Sequence, residues 1–303
     1  MKDVAASVLA KLKNRAKQSG ISYQQCLQLF FQEEFLRKLS MSKYKDNFIL
    51  KGGLFIYTLT EFESRATVDV DFLVRGVSND MKRADAIIAE ILEVSTGNDY
   101  MNFIAKPAEP IALHRKYHGV STQITGYIKS VRVPFNVDIG IGDVIVPEAQ
   151  ERSVKTQLDG YDMPMIMTYS LESTIAEKFD AILQRFELTG RMKDFYDIYY
   201  LSQMFDFEGT NLQAAIEETL RNRGTEYDKD SFKRVLTLVD DEDMQVKWRY
   251  FLKTLRSSDI EFAEVMEVIE EFLNPVWNAI VEKNMFSKTW NSANEEWYGE
   301  NKK

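Results

Sequence analysis

The chain has 303 residues, enough for one large or two modest domains, and its 45% hydrophobic and 28% charged residues are ordinary for a soluble globular protein. No apolar run approaches the ~20 residues of a membrane-spanning helix, and the opening stretch 1–20 is charged and amphipathic rather than a signal peptide. Cys26 is the only cysteine, which excludes an internal disulfide and thiolate zinc sites, so the expected setting is cytoplasmic, without membrane association.

The first forty residues read as two helices, the second opened by a capping box at Ser22 and Gln25 and followed by Cys26, Leu27, Phe30, Phe31 and Phe35 at helical spacing. Phe48, Ile49 and Leu50 form a short apolar run into Lys51, Gly52 and Gly53, and a short helix is expected over 54–60. Residues 68–74 alternate carboxylate and apolar side chains, the period of a strand, with Val68, Val70 and Phe72 on its core face. A helix follows over 81–94, carrying Ile87, Ile88, Ile91 and Leu92. Helical periodicity then disappears from 103 to 146, where 119–128 and 131–141 read as strands joined by a turn at Lys129 and Ser130. One more strand is expected over 163–169.

From Ser170 the chain reads as helices: 171–186, 192–204, 212–223 stopped by Gly224, 231–239, 244–256 and 260–273, with a polar tail over 287–303 expected to fray. The organisation is therefore a mixed α/β domain over 1–168 and an all-helical domain over 169–303 that contributes to the active-site cleft. The net charge of −9 argues against broad, non-specific binding to nucleic acid. A local basic patch remains open: His114, Arg115, Lys116 and His118, followed by Lys129 and Arg132, are either such a patch or a solvated loop and strand edge. Two histidines without a third ligand make a poor zinc site.

Asp69 and Asp71 stand two residues apart, so on a strand both carboxylates emerge on one face. Paired carboxylates repel unless a cation lies between them, and Mg²⁺ takes one or two carboxylates and completes its shell with water and phosphate oxygens. Alone, such a pair is commonly two solvated carboxylates, so its setting decides. Upstream, Gly52 and Gly53 form a turn that can present backbone N–H groups to phosphate. Downstream, Asp138 interrupts the apolar strand between Val137 and Ile139, where a carboxylate needs a metal or an ion-pair partner, and Gly140 and Gly142 leave room for close backbone approach. Three such groups on neighbouring strands suit in-line nucleotidyl transfer.

These residues resemble a known family. Lys51-Gly52-Gly53-Leu54 with Arg65-x-Thr67-x-Asp69-x-Asp71-Phe72 is similar to the first motif of AbiEii/AbiGii-type toxin nucleotidyltransferases, which have a polymerase-β-like fold with a mixed central sheet. Val137-Asp138-Ile139-Gly140 resembles their second motif and Ile175-Ala176-Glu177-Lys178-x-x-Ala181-x-x-x-Arg185 their third. Arg191-x-Lys193-Asp194-x-x-Asp197-Ile198 resembles the fourth. Two departures stand out: Leu54 occupies a place where these toxins often carry a hydroxyl, and the gap from Gly53 to Asp69 is longer than in compact members of the superfamily.

Helical spacing supports the third motif independently. Leu171, Ile175, Phe179 and Ile182 form an apolar stripe that contains Lys178, so its ammonium needs a partner, a triphosphate being one, unless the side chain snorkels to solvent. On the next helix Met192, Phe195, Ile198, Leu201 and Phe205 mark the core side; Asp194 falls within it, whereas Asp197 is expected to point well away and pair with a nearby cation. Arg65 and Thr67 flank the carboxylate strand and join Gly52, Gly53 and Lys178 as expected nucleotide-binding residues; an ion pair is the alternative for Arg65.

The expected catalytic set is Asp69, Asp71, Asp138, Lys178 and Asp194, with Asp69, Asp71 and Asp138 holding Mg²⁺. The resemblance implies a nucleoside triphosphate donor, GTP or a pyrimidine triphosphate, and an RNA acceptor, the 3′ end of tRNA. It further implies toxicity by blocked translation and a co-encoded antitoxin, with no stable contact required, in a type IV abortive-infection module for phage defence or plasmid maintenance. The competing readings are transfer to a small molecule or protein, which the net acidity favours, and a non-catalytic nucleotide-binding interaction protein.

Overall fold

The computed structural model describes residues 3–60, 64–65, 67–77, 81–111, 119–185, 191–255 and 260–299. They fall into two units: Met1–Gly142 with Ala149–Tyr169, and Asp143–Glu148 with Ser170–Lys303.

In the first unit, helices α1 (Val4–Ser19) and α2 (Tyr23–Ser40) are separated by Gly20, whose φ of +70° suits a residue without Cβ. The capping box forms: the Gln25 N–H donates to Ser22 Oγ at 3.1 Å, and the Ser22 N–H to Gln25 Oε1 at 3.2 Å. β1 (Phe48–Lys51) runs directly into α3 (Gly52–Leu59), which therefore starts at the first glycine, two residues earlier than periodicity suggested. β2 (Val70–Val74) and α4 (Met81–Leu92) follow, then β3 (Asn102–Ala105), β4 (Glu109–Ile111), β5 (Gly119–Ile128), β6 (Val131–Gly140), β7 (Gln150–Ser153) and β8 (Met165–Thr168).

All eight strands join one mixed sheet of order β3-β5-β6-β2-β1-β8-β7, with β4 also on β5. β2 is parallel to β6 and β1 to β8, the remaining pairs being antiparallel. α2 covers the apolar face: Phe35 lies 6.2 Å from both Phe72 of β2 and Phe135 of β6, ring to ring. Val68 was expected on that face but lies before β2 and is 57% exposed. Periodicity also missed β3, β4 and β7, because each pairs with a single neighbour and carries no fully buried residue to mark a core side.

The second unit contains α5 (Leu171–Arg185), α6 (Met192–Met204), α7 (Gly209–Arg223), α8 (Ser231–Leu236), a 3₁₀ turn (Thr237–Asp240), α9 (Glu242–Leu252) and α10 (Phe262–Glu282). Segment 143–148 belongs here by its hydrogen bonds: the Val146 N–H donates to Ser173 Oγ at 2.7 Å, and Ser170 Oγ donates to the Val146 carbonyl at 2.8 Å. α10 continues past Pro275, where a stop had been expected; the missing N–H costs about 3 kcal/mol, offset by burial of Val276, Trp277 and Ile280 on the following turn.

The unit is not all-helical, and its tail is structured over 289–298. β9 (Phe207–Glu208), β10 (Thr289–Asn291) and β11 (Glu296–Tyr298) form a small antiparallel sheet. Trp290 is fully buried against Phe272 and Trp297, and its Nε1 donates to the Ser202 carbonyl at 2.6 Å. The polar composition of that tail hides two aromatic anchors, Trp290 and Trp297, which pack on each other and, through Trp297, on Phe286 just ahead of it. No described helix is long and apolar enough to cross a membrane.

Candidate active site

The carboxylates of the first unit are aligned by sheet register. Asp71 pairs across β1–β2 with Lys51 and across the parallel β2–β6 ladder with Asp138, so these two carboxylates are direct neighbours on one face. Their alternating partners on the strands, Val70, Phe72, Val137 and Ile139, are buried on the opposite face, whereas Asp71 and Asp138 are half-buried. Ser121, in register with Asp138 on β5, donates its hydroxyl to Asp138 Oδ1 at 2.5 Å. Asp69 precedes β2 by one residue and accepts from Asn136 Nδ2 at 3.2 Å.

The backbone entering this row is gripped from α2. Gln28 and Gln32 each donate Nε2 to the Val68 carbonyl at 2.8 Å, fixing the peptide just ahead of Asp69. Both glutamines are buried, at 9% and 0% exposure.

The Gly-Gly turn closes on the same row. Gly52 has φ +68°, and a Cβ there would lie 2.2 Å from Asp71 Oδ2. A Cβ on Gly53 would lie 2.9 Å from Thr67 Oγ1 and 3.5 Å from an Arg65 guanidinium nitrogen. Gly52, Gly53, Arg65, Thr67 and Asp71 thus converge, and glycine is required at 52 by both backbone and space. α3 starts without a side-chain cap and without an acidic residue in its first turn, which leaves its leading N–H groups suited to an anion. Leu54 is 2% exposed and belongs to the core, so any phosphate contact at this turn falls to the backbone rather than to a hydroxyl.

The donors in this row are all oxygen: three carboxylates with the amide of Asn136 and the hydroxyls of Ser121 and Thr67. That chemistry fits a hard divalent cation. Among the described residues no three His, Cys, Asp or Glu side chains form a ready cage. The fit is that of a cation taking one or two carboxylates and completing its shell with water and phosphate, the habit of Mg²⁺.

In the second unit, Lys178 is 8% exposed, as its place in the apolar stripe requires. Its Nζ lies 3.2 Å from Asp194 Oδ1 and is also paired with Asp197, and Arg191 pairs with the other oxygen of Asp194. Two carboxylates therefore already neutralise the ammonium. The expectation that Asp197 points well away is overturned: both aspartates are 1% exposed. α6 is buried on nearly every side, so its apolar period could not separate a core-facing aspartate from a solvated one.

A second buried cluster escaped sequence reading. Arg223, last residue of α7, pairs with Asp143 at 3.1 Å, Glu177 at 3.1 Å and Asp180 at 3.0 Å. Burial alone would lower its pKa, but the carboxylates of Glu177, Asp143 and Asp180 raise it. Only the apolar neighbours of Asp180 hinted at this, since Arg223 reads as an ordinary basic residue at a helix end. Ser121, Asn136, Gln28 and Gln32 were missed for a different reason, because strand register and helix docking create their contacts. Lys129 occupies the β5–β6 turn, with φ +53°, and pairs with Asp3, while Arg132 is exposed. His114, Arg115, Lys116 and His118 lie outside the described residues.

No curated protein matches the chain in sequence. Among solved structures it is similar to MenT4, a nucleotidyltransferase toxin from Mycobacterium tuberculosis H37Rv, with 14% identity and a TM-score of 0.54, over 91% of this chain and 99% of that one. It is also similar to JHP933 from Helicobacter pylori, at 13% identity and a TM-score of 0.48 over 86% and 94% of the two chains. The MenT4 likeness supports the fold, a mixed α/β nucleotidyltransferase architecture. Residues 34–274 match the model of the nucleotidyl transferase AbiEii toxin family of type IV toxin–antitoxin systems, and the chain belongs to that family.

Proposed function

We propose that this toxin transfers a nucleotide from a nucleoside triphosphate, with Mg²⁺, to a hydroxyl of RNA, the 3′ end of tRNA being the acceptor and GTP or a pyrimidine triphosphate the donor. The observation that carries the reading is Gly52 pressed against Asp71 while Asp138 stands beside Asp71 in parallel register. Asp69 and Asp71 would hold the metal, with Asp138 as third ligand or as base for the attacking hydroxyl, and the metal would supply Lewis-acid charge at the transferring phosphoryl group. The N–H groups of the Gly52–Gly53 turn bind phosphate oxygens, and Thr67 and Arg65 border that turn, Arg65 offering its planar fork. Asn136 and Ser121 orient Asp69 and Asp138.

By their motifs, Lys178 and Asp194 belong to the same reaction, Lys178 countering triphosphate charge and Asp194 orienting or activating the acceptor. The product is an RNA that no longer supports translation, in a cytoplasmic phage-defence or plasmid-maintenance module. A co-encoded antitoxin restrains the activity without a stable complex being required.

The test is transfer of labelled nucleoside triphosphates in Mg²⁺ to total RNA, comparing wild type with Asp69→Asn and Asp138→Asn. Label on tRNA-sized RNA, lost in both variants and on chelation, is the expected result. Label confined to protein or small molecules would overturn the acceptor. Nucleotide binding with no transfer at all would overturn catalysis.

A further inference from the structure

α9 has two unlike faces. Met244 and Trp248, each 1% exposed, turn inward, with Trp248 packed against Phe251 and Phe262. The opposite face carries Val246, Arg249, Tyr250 and, one residue past the helix, Lys253, at the i, i+3, i+4, i+7 spacing that aligns side chains. Tyr250 is 69% exposed, the Lys253 ammonium stands 5.0 Å from its ring centroid, and Arg249 is exposed. In a chain of net charge −9, no carboxylate occurs between Asp243 and Asp259, a stretch holding Lys247, Arg249, Lys253 and Arg256. Asp243 pairs with Lys247 at 2.7 Å, whereas neither Arg249 nor Lys253 has a carboxylate partner among the described residues.

We infer that this outward face of α9 docks single-stranded RNA, with Tyr250 stacking an unpaired base and Arg249 and Lys253 taking the neighbouring phosphates. Charge selects the occupant: a polyanion is repelled by most of this acidic chain and attracted here. An open aromatic ring between two cations is the platform on which unpaired bases stack. A membrane surface fits less well, since the face lacks the row of large apolar side chains that would enter a bilayer. The strip also adjoins the helix of the fourth motif. Phe251 lies 5.6 Å from Tyr196 of α6, the helix that carries Asp194 and Asp197. The inference rests on the proposed RNA acceptor and gives that acceptor a docking surface.

The experiment measures binding of a fluorescently labelled single-stranded oligoribonucleotide to the full chain by anisotropy. Wild type is compared with Tyr250→Ala, with Arg249→Glu/Lys253→Glu, and with Lys13→Glu/Lys17→Glu, a charge-matched control at exposed positions of α1. Circular dichroism verifies folding of each. Tyr250→Ala is expected to weaken binding about tenfold and the α9 charge reversal more, with the α1 control close to wild type. Equal affinity in wild type and both α9 variants overturns the inference, as does preference for anionic lipid vesicles over RNA. Nucleotide transfer in the same samples separates the two claims. Transfer to RNA with binding indifferent to α9 removes the docking strip alone. Binding that depends on α9, with label only on protein or small molecules, supports the strip and removes the RNA acceptor.

Discussion

At residue 52 the chain has no room for a methyl group. Gly52→Ala places a Cβ against the Asp71 carboxylate and forces an L-residue to hold φ +68°. The backbone conformation alone costs about 1–2 kcal/mol, and relief of the collision must come from movement of Asp71. The variant is expected to stay folded, with a modestly lowered denaturation midpoint, while nucleotide transfer falls at least a hundredfold. Near-normal transfer would show that the turn does not serve the carboxylate row. Lys178 calls for the opposite caution. Lys178→Ala leaves the carboxylates of Asp194 and Asp197 buried together without their shared cation, and breaking a buried ion pair in this way typically costs about 3–5 kcal/mol. Thermal unfolding should show a large loss of stability in Lys178→Ala, with much of it recovered when Asp197→Asn is added. Lost activity in the single variant therefore does not by itself assign catalysis to this lysine.

Elements were legible in the sequence where one face is wet and the other dry. The long strands β5 and β6 showed their alternation, and Ser22 with Gln25 marked the start of α2 through a local bond. α2 itself hides more than it shows: Gln32, Glu33, Glu34 and Arg37 are polar in composition yet buried, and groups distant in sequence bond Gln32 Nε2, the carboxylates of Glu33 and Glu34, and Arg37 Nε. The same limit applies to the site. Asp69, Asp71 and the glycines could be read from spacing, but the adjacency of Asp71 and Asp138 comes from strand pairing across more than sixty intervening residues. The tail β10–β11 is the clearest miss, and it has a measurable consequence. Trp290 fills a pocket between Phe272 and Trp297 and closes a hydrogen bond to Ser202, so Trp290→Ala should destabilise the second unit by about 3–5 kcal/mol. A frayed tail would tolerate the change, and denaturant titration decides between the two.

Across the whole chain, acidic excess at the surface coexists with carboxylates drawn into both cores. In the second unit those carboxylates surround Lys178 and Arg223. In the first, Glu34 is paired with Arg37, whereas Glu33 accepts from the Gln157 N–H at 3.0 Å and has no ion-pair partner among the described residues. Burial pushes the Glu33 carboxyl up to about 8, against the smaller opposing effects of the Gln157 hydrogen bond and the Arg37 charge. The folded state therefore holds a proton that the unfolded chain releases near pH 4.5. Stability from this group is complete below that value and is lost as pH rises through the folded pKa near 8. Glu33→Gln keeps the shape and a carbonyl acceptor for the Gln157 N–H but removes the titration. Its unfolding midpoint relative to wild type should rise steadily between pH 5 and pH 9, with most of the gain present by pH 8. Parallel pH profiles for the two proteins would mean that Glu33 is ionised in the fold, with its charge held by Gln157 and Arg37 rather than suppressed by burial.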